Sequence, residues 1–328
     1  MRRLSHWNRS PAAIAVLLCC GLVGPRIHLV VAQEPATSEK QLNVIVTQTG
    51  IDPAQRSQIE FPDPESVTIT TPDGISIAAT FYGGVLGKKT PVLILLHDLA
   101  GDSTDLNTLA RWLQQNYGYA SIVPDLRGHG QSVLADKPDL KPDKFTAAQF
   151  VSIAADIEGC KRFLRDQKNN EGLLNIDMLT LVAVGKSNIL AVEWSLADWS
   201  FPTLNGKKQG QDVKQLVMIS PETSYKGSRM TALKEPLFSG KNFESPLHVW
   251  LNCHGDDPEQ ERDVDSIESS LMKGRKNTQN AGVYRATYDA SGAAIANIDS
   301  FRSGLGEFVY FKLYSDAGKF PWVVRGIK

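Results

Sequence analysis

Four short segments carry most of the residue types that could do chemistry. His97-Asp98-Leu99-Ala100-Gly101, Asp125-Leu126-Arg127-Gly128-His129-Gly130-Gln131-Ser132 and Gly185-Lys186-Ser187-Asn188-Ile189 each follow an apolar run. Cys253-His254-Gly255-Asp256-Asp257-Pro258 sets an imidazole beside two carboxylates. Serine, histidine and aspartate together suggest nucleophilic chemistry, but a serine hydroxyl attacks weakly until a base takes its proton. The histidines are His6, His28, His97, His129, His248 and His254, so nothing beyond residue 254 offers an imidazole. There is no HExxH, no paired CxxC and no glycine-rich phosphate loop. Zinc and nucleotide readings therefore lack a motif, and no cofactor is expected.

The elements that must position these loops alternate along the chain. Ser66–Thr71 and Ile75–Tyr82 are β-rich runs separated by the turn Pro72-Asp73-Gly74. Val92–Leu96 is a continuous apolar run, which suits a strand covered on both faces. Strand-like runs at 120–123, 178–184, 213–219, 247–251 and 282–288 then alternate with helical spacing at 104–117, 147–167, 188–199, 228–237, 261–273 and 301–313. Two antiparallel-type strands followed by repeated strand–helix units predict an α/β domain over 65–328. Its sheet should be mostly parallel, with about eight strands and helices on both faces. Residues 33–64, polar and punctuated by Pro35, Pro53, Pro62 and Pro64, read as an exposed lead-in with a short strand near 42–46.

In a doubly wound sheet, ligands collect at the carboxyl ends of the strands, where all four loops fall. The stretch from about Glu65 to Phe320 resembles the α/β-hydrolase superfamily, in particular its serine-aminopeptidase and monoacylglycerol-lipase-like branch. The segment Asp125–Ser132 is a near-complete copy of that branch's loop after the fourth strand, where its role is mainly architectural. His97 and His129 accordingly read as structural loop histidines. The resemblance implies a nucleophile on a G-x-S-x-G elbow, which matches Gly185-Lys186-Ser187 and makes Ser187 the candidate nucleophile. Ile189 stands where the pattern has its second glycine. By position the oxyanion hole would use the backbone N–H groups of Leu99 and Asn188, with Asp98 where the branch has glycine. The acid would be Asp257 or Asp256. The expected base, a histidine after the eighth strand, is absent, because that region reads Asp289-Ala290-Ser291-Gly292-Ala293-Ala294. Two substitute bases are conceivable, His254 and Lys186. With only about 25 residues between the sixth and seventh strands, no sizeable lid is expected and the pocket should be shallow.

These observations predict a hydrolase-fold protein that has lost the ordinary Ser–His–Asp machinery and acts by binding a small-molecule or acyl ligand. The alternative is a serine hydrolase of esters or peptides that uses an unusual base. Across 328 residues, 35 Lys+Arg stand against 36 Asp+Glu, which leaves no basic footprint for nucleic acid. Arg2, Arg3 and Arg9 precede the apolar run Ala12–Val23 and the exit Val30-Val31-Ala32. That order is a secretory signal with cleavage near Ala32, predicting a secreted or periplasmic chain with no membrane contact once the signal is gone. Cys19 and Cys20 would leave with the signal, and Cys160 and Cys253 would remain as two separately buried thiols.

Overall fold

The computed structural model describes residues 44–132, 141–204, 208–239, 246–273, 275 and 282–326. The signal segment 1–32 lies outside these residues. Eight strands form one sheet: β1 (Glu65–Thr70), β2 (Ser76–Tyr82), β3 (Val92–Leu96), β4 (Ala120–Pro124), β5 (Leu179–Val184), β6 (Val213–Ile219), β7 (His248–His254) and β8 (Val283–Tyr288). Their spatial order is β8-β7-β6-β5-β3-β4-β2-β1. β1 and β2 pair antiparallel, as do β2 and β4, and every other neighbouring pair is parallel. The order reverses direction at β3, which lies between β4 and β5, so a crevice opens at the carboxyl ends of β3 and β5.

Burial on both faces explains the unbroken apolar strands. Along β3, Val92, Ile94 and Leu96 point into one core while Leu93 and Leu95 point into the other. The first core is covered by α2 (Ala154–Phe163), α3 (Ser187–Ser200) and α4 (Pro258–Met272), and the second by α1 (Thr104–Tyr117) and α5 (Asp299–Val309). In α1 the buried residues Leu106, Leu109, Ala110, Leu113 and Tyr117 recur at helical spacing. That helix stops at Gly118, whose φ of +72° is the left-handed cap glycine adopts readily. The helical stretch expected over 147–167 is divided into Ala147–Ser152 and α2, with a wide turn through Asn169. The helix expected over 228–237 is instead a short strand, Ser228–Arg229, followed by two short helical turns. Cys160 and Cys253 are free, buried thiols.

The lead-in is not simply exposed. Val46–Thr47 and Gly50–Ile51 form a small hairpin whose Val46 and Ile51 are buried in the second core. Gly50 has φ +103°, and a Cβ there would meet the Asn116 carbonyl oxygen at 2.4 Å, so only glycine permits this close approach. Among the described residues, the β6–β7 connection holds only a two-stranded hairpin and short helical turns, and no helix is long and apolar enough to cross a membrane.

Candidate functional site

The turn from β5 into α3 is the centre of the site. β5 ends at Val184, Gly185 turns with φ +55°, Lys186 is already helical, and α3 begins at Ser187. A hydrolase elbow places its nucleophile on this sharp turn, exposed above the sheet. Here the apex residue is Gly185, which has no side chain. Ser187 comes two residues later, wholly buried, and its hydroxyl donates to the His97 carbonyl oxygen at 2.5 Å. The candidate nucleophile is therefore enclosed beneath the turn rather than exposed above the sheet. The small positions flanking the true apex are Ala183 and Ser187, both without solvent exposure, and Ile189 is an ordinary core residue of α3.

The oxyanion donors shift in the same way. The N–H of Asn188 is directed to the Gly185 carbonyl (3.3 Å) within the first helical turn. The donor that follows the apex is Lys186, and its N–H is already taken by Asp98 Oδ1 at 2.8 Å. An anion at the amino end of a fourteen-residue helix is electrostatically well placed. Asp98 thus fills with its own carboxylate the place where a developing oxyanion would sit. A Cβ built on Gly185 would stand 2.3 Å from Asp98 Oδ1, so carboxylate and apex side chain exclude each other. Leu99, the other expected donor, is buried beside His129, a ring nitrogen of which lies 3.1 Å from the Leu99 carbonyl oxygen.

The remaining candidates are engaged elsewhere. Lys186 pairs with Glu222 at 3.0 Å. Burial opposes its charge, but the carboxylates of Glu222 and Asp98 outweigh that and hold the ammonium above its ordinary value, which is the wrong direction for a base. Asp257 caps α4, its Oδ1 accepting the N–H groups of Glu259 (2.9 Å) and Gln260 (3.2 Å). Asp256 is exposed and donates its backbone N–H to His254 Nδ1 at 3.0 Å. His254 Nε2 faces Asp289, 3.8 Å away and fully exposed. The imidazole thus ends β7 and a carboxylate follows β8, the reverse of the hydrolase arrangement. Among the described residues no imidazole bonds to Ser187. His97 is buried, accepts the Leu126 N–H at Nε2 and donates from Nδ1 to the Asp98 carbonyl oxygen. Burial lowers its pKa to about 4, so it stays neutral, and the buried His129 ring is likewise engaged by backbone, at the carbonyl oxygens of Leu126, Arg127 and Leu99.

Above Gly185 lies a pocket of about 610 Å³, within the range of small-molecule sites. Asp98, Glu222, Asp257, Glu259 and Asp263 bring carboxylates to its lining, and Ser220, Thr223, Ser224 and Ser291 bring hydroxyls. Ser220, unremarked in the sequence, closes β6 with φ +42° and accepts the Gly292 N–H at 2.7 Å. Thr223 donates from both N–H and hydroxyl to Asp263. Residues around 220–224 escape a motif search because hydroxyls and carboxylates on an irregular loop have no characteristic spacing. Among the described residues no group of three or more His, Cys, Asp or Glu could hold a metal ion.

No family model matches the chain, and no curated protein does. Solved structures do. An esterase from Pyrococcus furiosus aligns over 82% of this chain and 97% of its own, at 15% identity and a TM-score of 0.52. A hyperthermophilic esterase from the archaeon Pyrobaculum calidifontis aligns over 80% and 87%, at 14% identity and 0.53. An arylesterase aligns over 78% and 86%, at 13% identity and 0.50. Likeness at this identity establishes the fold, which is that of the α/β-hydrolases.

Proposed function

We propose that this α/β-hydrolase-fold chain is an exported binding protein that has lost Ser–His–Asp catalysis. The observation that carries the reading is the pairing of Gly185 at the elbow apex with the Asp98 carboxylate on the Lys186 N–H. A hydrolase needs a nucleophile at the first position and an empty anion hole at the second. Neither condition is met. The engagement of Lys186 with Glu222 and the reversed order of His254 and Asp289 speak against the alternative of a serine hydrolase with an unusual base. The ligand is a small polar molecule rather than an acyl chain, because carboxylates and hydroxyls dominate the lining and would leave an alkyl chain poorly matched. Export rests on the amino-terminal pattern, and native protein is expected to begin at or near Gln33.

The test is turnover of p-nitrophenyl acetate and an aminoacyl anilide, with fluorophosphonate labelling in parallel. General-base assistance contributes about 10²–10⁴-fold, so the expected outcome is no burst, no label and a residual rate that Ser187→Ala leaves unchanged. Brisk turnover abolished by Ser187→Ala, with label on that residue, would overturn the reading and make His254→Ala and Lys186→Ala the next variants.

A further inference from the structure

At the opposite end of the sheet from the elbow lies a second cavity of about 540 Å³, also within the size range of small-molecule sites. Its walls come from the turn before β3, the turn before β5 and the segment after α5. Lys88 and Lys89 stand on one side, and Tyr314, Phe320 and Trp322 supply rings on the other. The lining contains two ammonium groups and no carboxylate. Among the described residues neither lysine enters an ion pair. Lys88 instead lays its ammonium 4.0 Å from the centre of the Trp322 ring, and its stem runs along Gly172.

The aromatic wall is tied to Asn169 and Asn175. The Trp322 indole N–H donates to the Asn169 carbonyl at 3.1 Å, and the buried Asn175 amide donates to the Phe320 carbonyl at 2.8 Å. Just beyond, Arg325 grips both oxygens of Asp212, at 2.8 and 3.1 Å. A flat partner therefore meets aromatic residues whose chain is already ordered, and Lys88 can turn from the Trp322 ring toward an anion, which reduces the ordering cost of binding. Ammonium groups outside any ion pair and aromatic rings in one lining select a ligand that joins an anionic group to a planar ring.

We propose that this cavity is a binding site for a small anionic aryl compound, such as an aryl phosphate, separate from the pocket above Gly185. The anion rests between Lys88 and Lys89, and the ring packs against Phe320 and Trp322. Gly318 lines the same cavity, has nothing within 4 Å of where a Cβ would stand, and has no positive φ. A side chain added there has open space at the cavity's lining and does not disturb the fold.

The test is isothermal titration of the full chain with 1-naphthyl phosphate, with inorganic phosphate and uncharged 1-naphthol as comparison ligands. The expected result is that the aryl phosphate binds and each comparison ligand binds at least about tenfold more weakly, since each lacks one of the two interactions. Lys88→Glu/Lys89→Glu and, independently, Gly318→Glu should each weaken the aryl phosphate by about tenfold or more, with unchanged thermal midpoints. No binding by the unaltered chain would overturn the proposal. So would equal binding of either comparison ligand, or affinity that survives both substitutions.

Discussion

At the scale of single residues, Asp98 and Gly185 behave as one decision. Gly185→Ser alone must adopt φ +55° and press its Cβ against Asp98, and backbone strain of this kind costs about 1–3 kcal/mol. Asp98→Gly removes the obstruction. The double variant should recover part of the stability lost by Gly185→Ser, so that urea denaturation of the four proteins gives a non-additive cycle. Additive losses would show that the two side-chain positions do not compete. The sequence held a clue to this register that the G-x-S-x-G template hides. Ile189 is too large for the template's last position, whereas Ala183-Val184-Gly185-Lys186-Ser187 places small residues on both sides of a central Gly185. The template locks onto a serine because it searches for a hydroxyl, and an apex that is itself glycine supplies nothing to find.

At the scale of elements, the loop after β4 is an architectural clamp, as the resemblance implied. Asp125 receives the N–H groups of Ser103 and Gln131, and Ser132 donates to the Asp125 carbonyl while receiving the Ala78 N–H from β2. Arg127 ties three elements together. It holds Asp156 on α2, with Nε and Nη2 both on Oδ1, and Asp73 in the β1–β2 turn. The Arg127 guanidinium holds the Asp73 pKa down at about 2 against the opposing effect of burial. Arg127→Met should therefore destabilise by about 3–5 kcal/mol, because it leaves the Asp156 charge buried and unpaired. Arg127→Met/Asp156→Leu should recover much of that loss in the same denaturation assay. If the double variant is no better than the single, the clamp acts through packing rather than charge. The lead-in was less legible. Val46 and Ile51 are isolated apolar residues among polar ones, and only their contact with α1 shows that they belong to a core.

At the scale of the whole molecule, two cores on either side of one sheet leave ionisable groups in dry surroundings. Burial lowers the pKa of both His97 and His248 to about 4 from an ordinary 6.5. In the unfolded chain these imidazoles take up protons near pH 6.5, whereas the folded chain refuses them until about pH 4. Their contribution is complete above pH 6.5, declines as pH falls and levels off near pH 4. Asp156 and Asp198, shifted upward chiefly by burial, act in the opposite sense in the acidic part of that window. The unfolding free energy from urea denaturation should thus drop on acidification from pH 7 to 5, by an amount on the order of 1–3 kcal/mol. His97→Gln should flatten the slope, and an unchanged slope in that variant would remove His97 from the account. None of this was readable from sequence, since it depends on which strand ends the fold encloses.

The grip of Arg325 on Asp212 also has a consequence in time. It spans 113 positions, and its second contact, with Asp177 at 3.1 Å, spans 148. Lys161, Asp198 and Asp212 can meet as soon as α2, α3 and β6 assemble, because Lys161 reaches both carboxylates directly. Arg325 must wait until the chain beyond α5 has been drawn back across the sheet, a long closure that comes late in folding. A late contact governs how quickly a structure comes apart rather than how quickly it forms. Arg325→Met is expected to raise the unfolding rate in stopped-flow denaturant jumps by an order of magnitude or more, with the refolding rate almost unchanged. Slowed refolding would instead place this contact among the first to form. Persistence of the folded state is thus governed at its last-docked segment, far from the turn where the fold's relatives keep their chemistry.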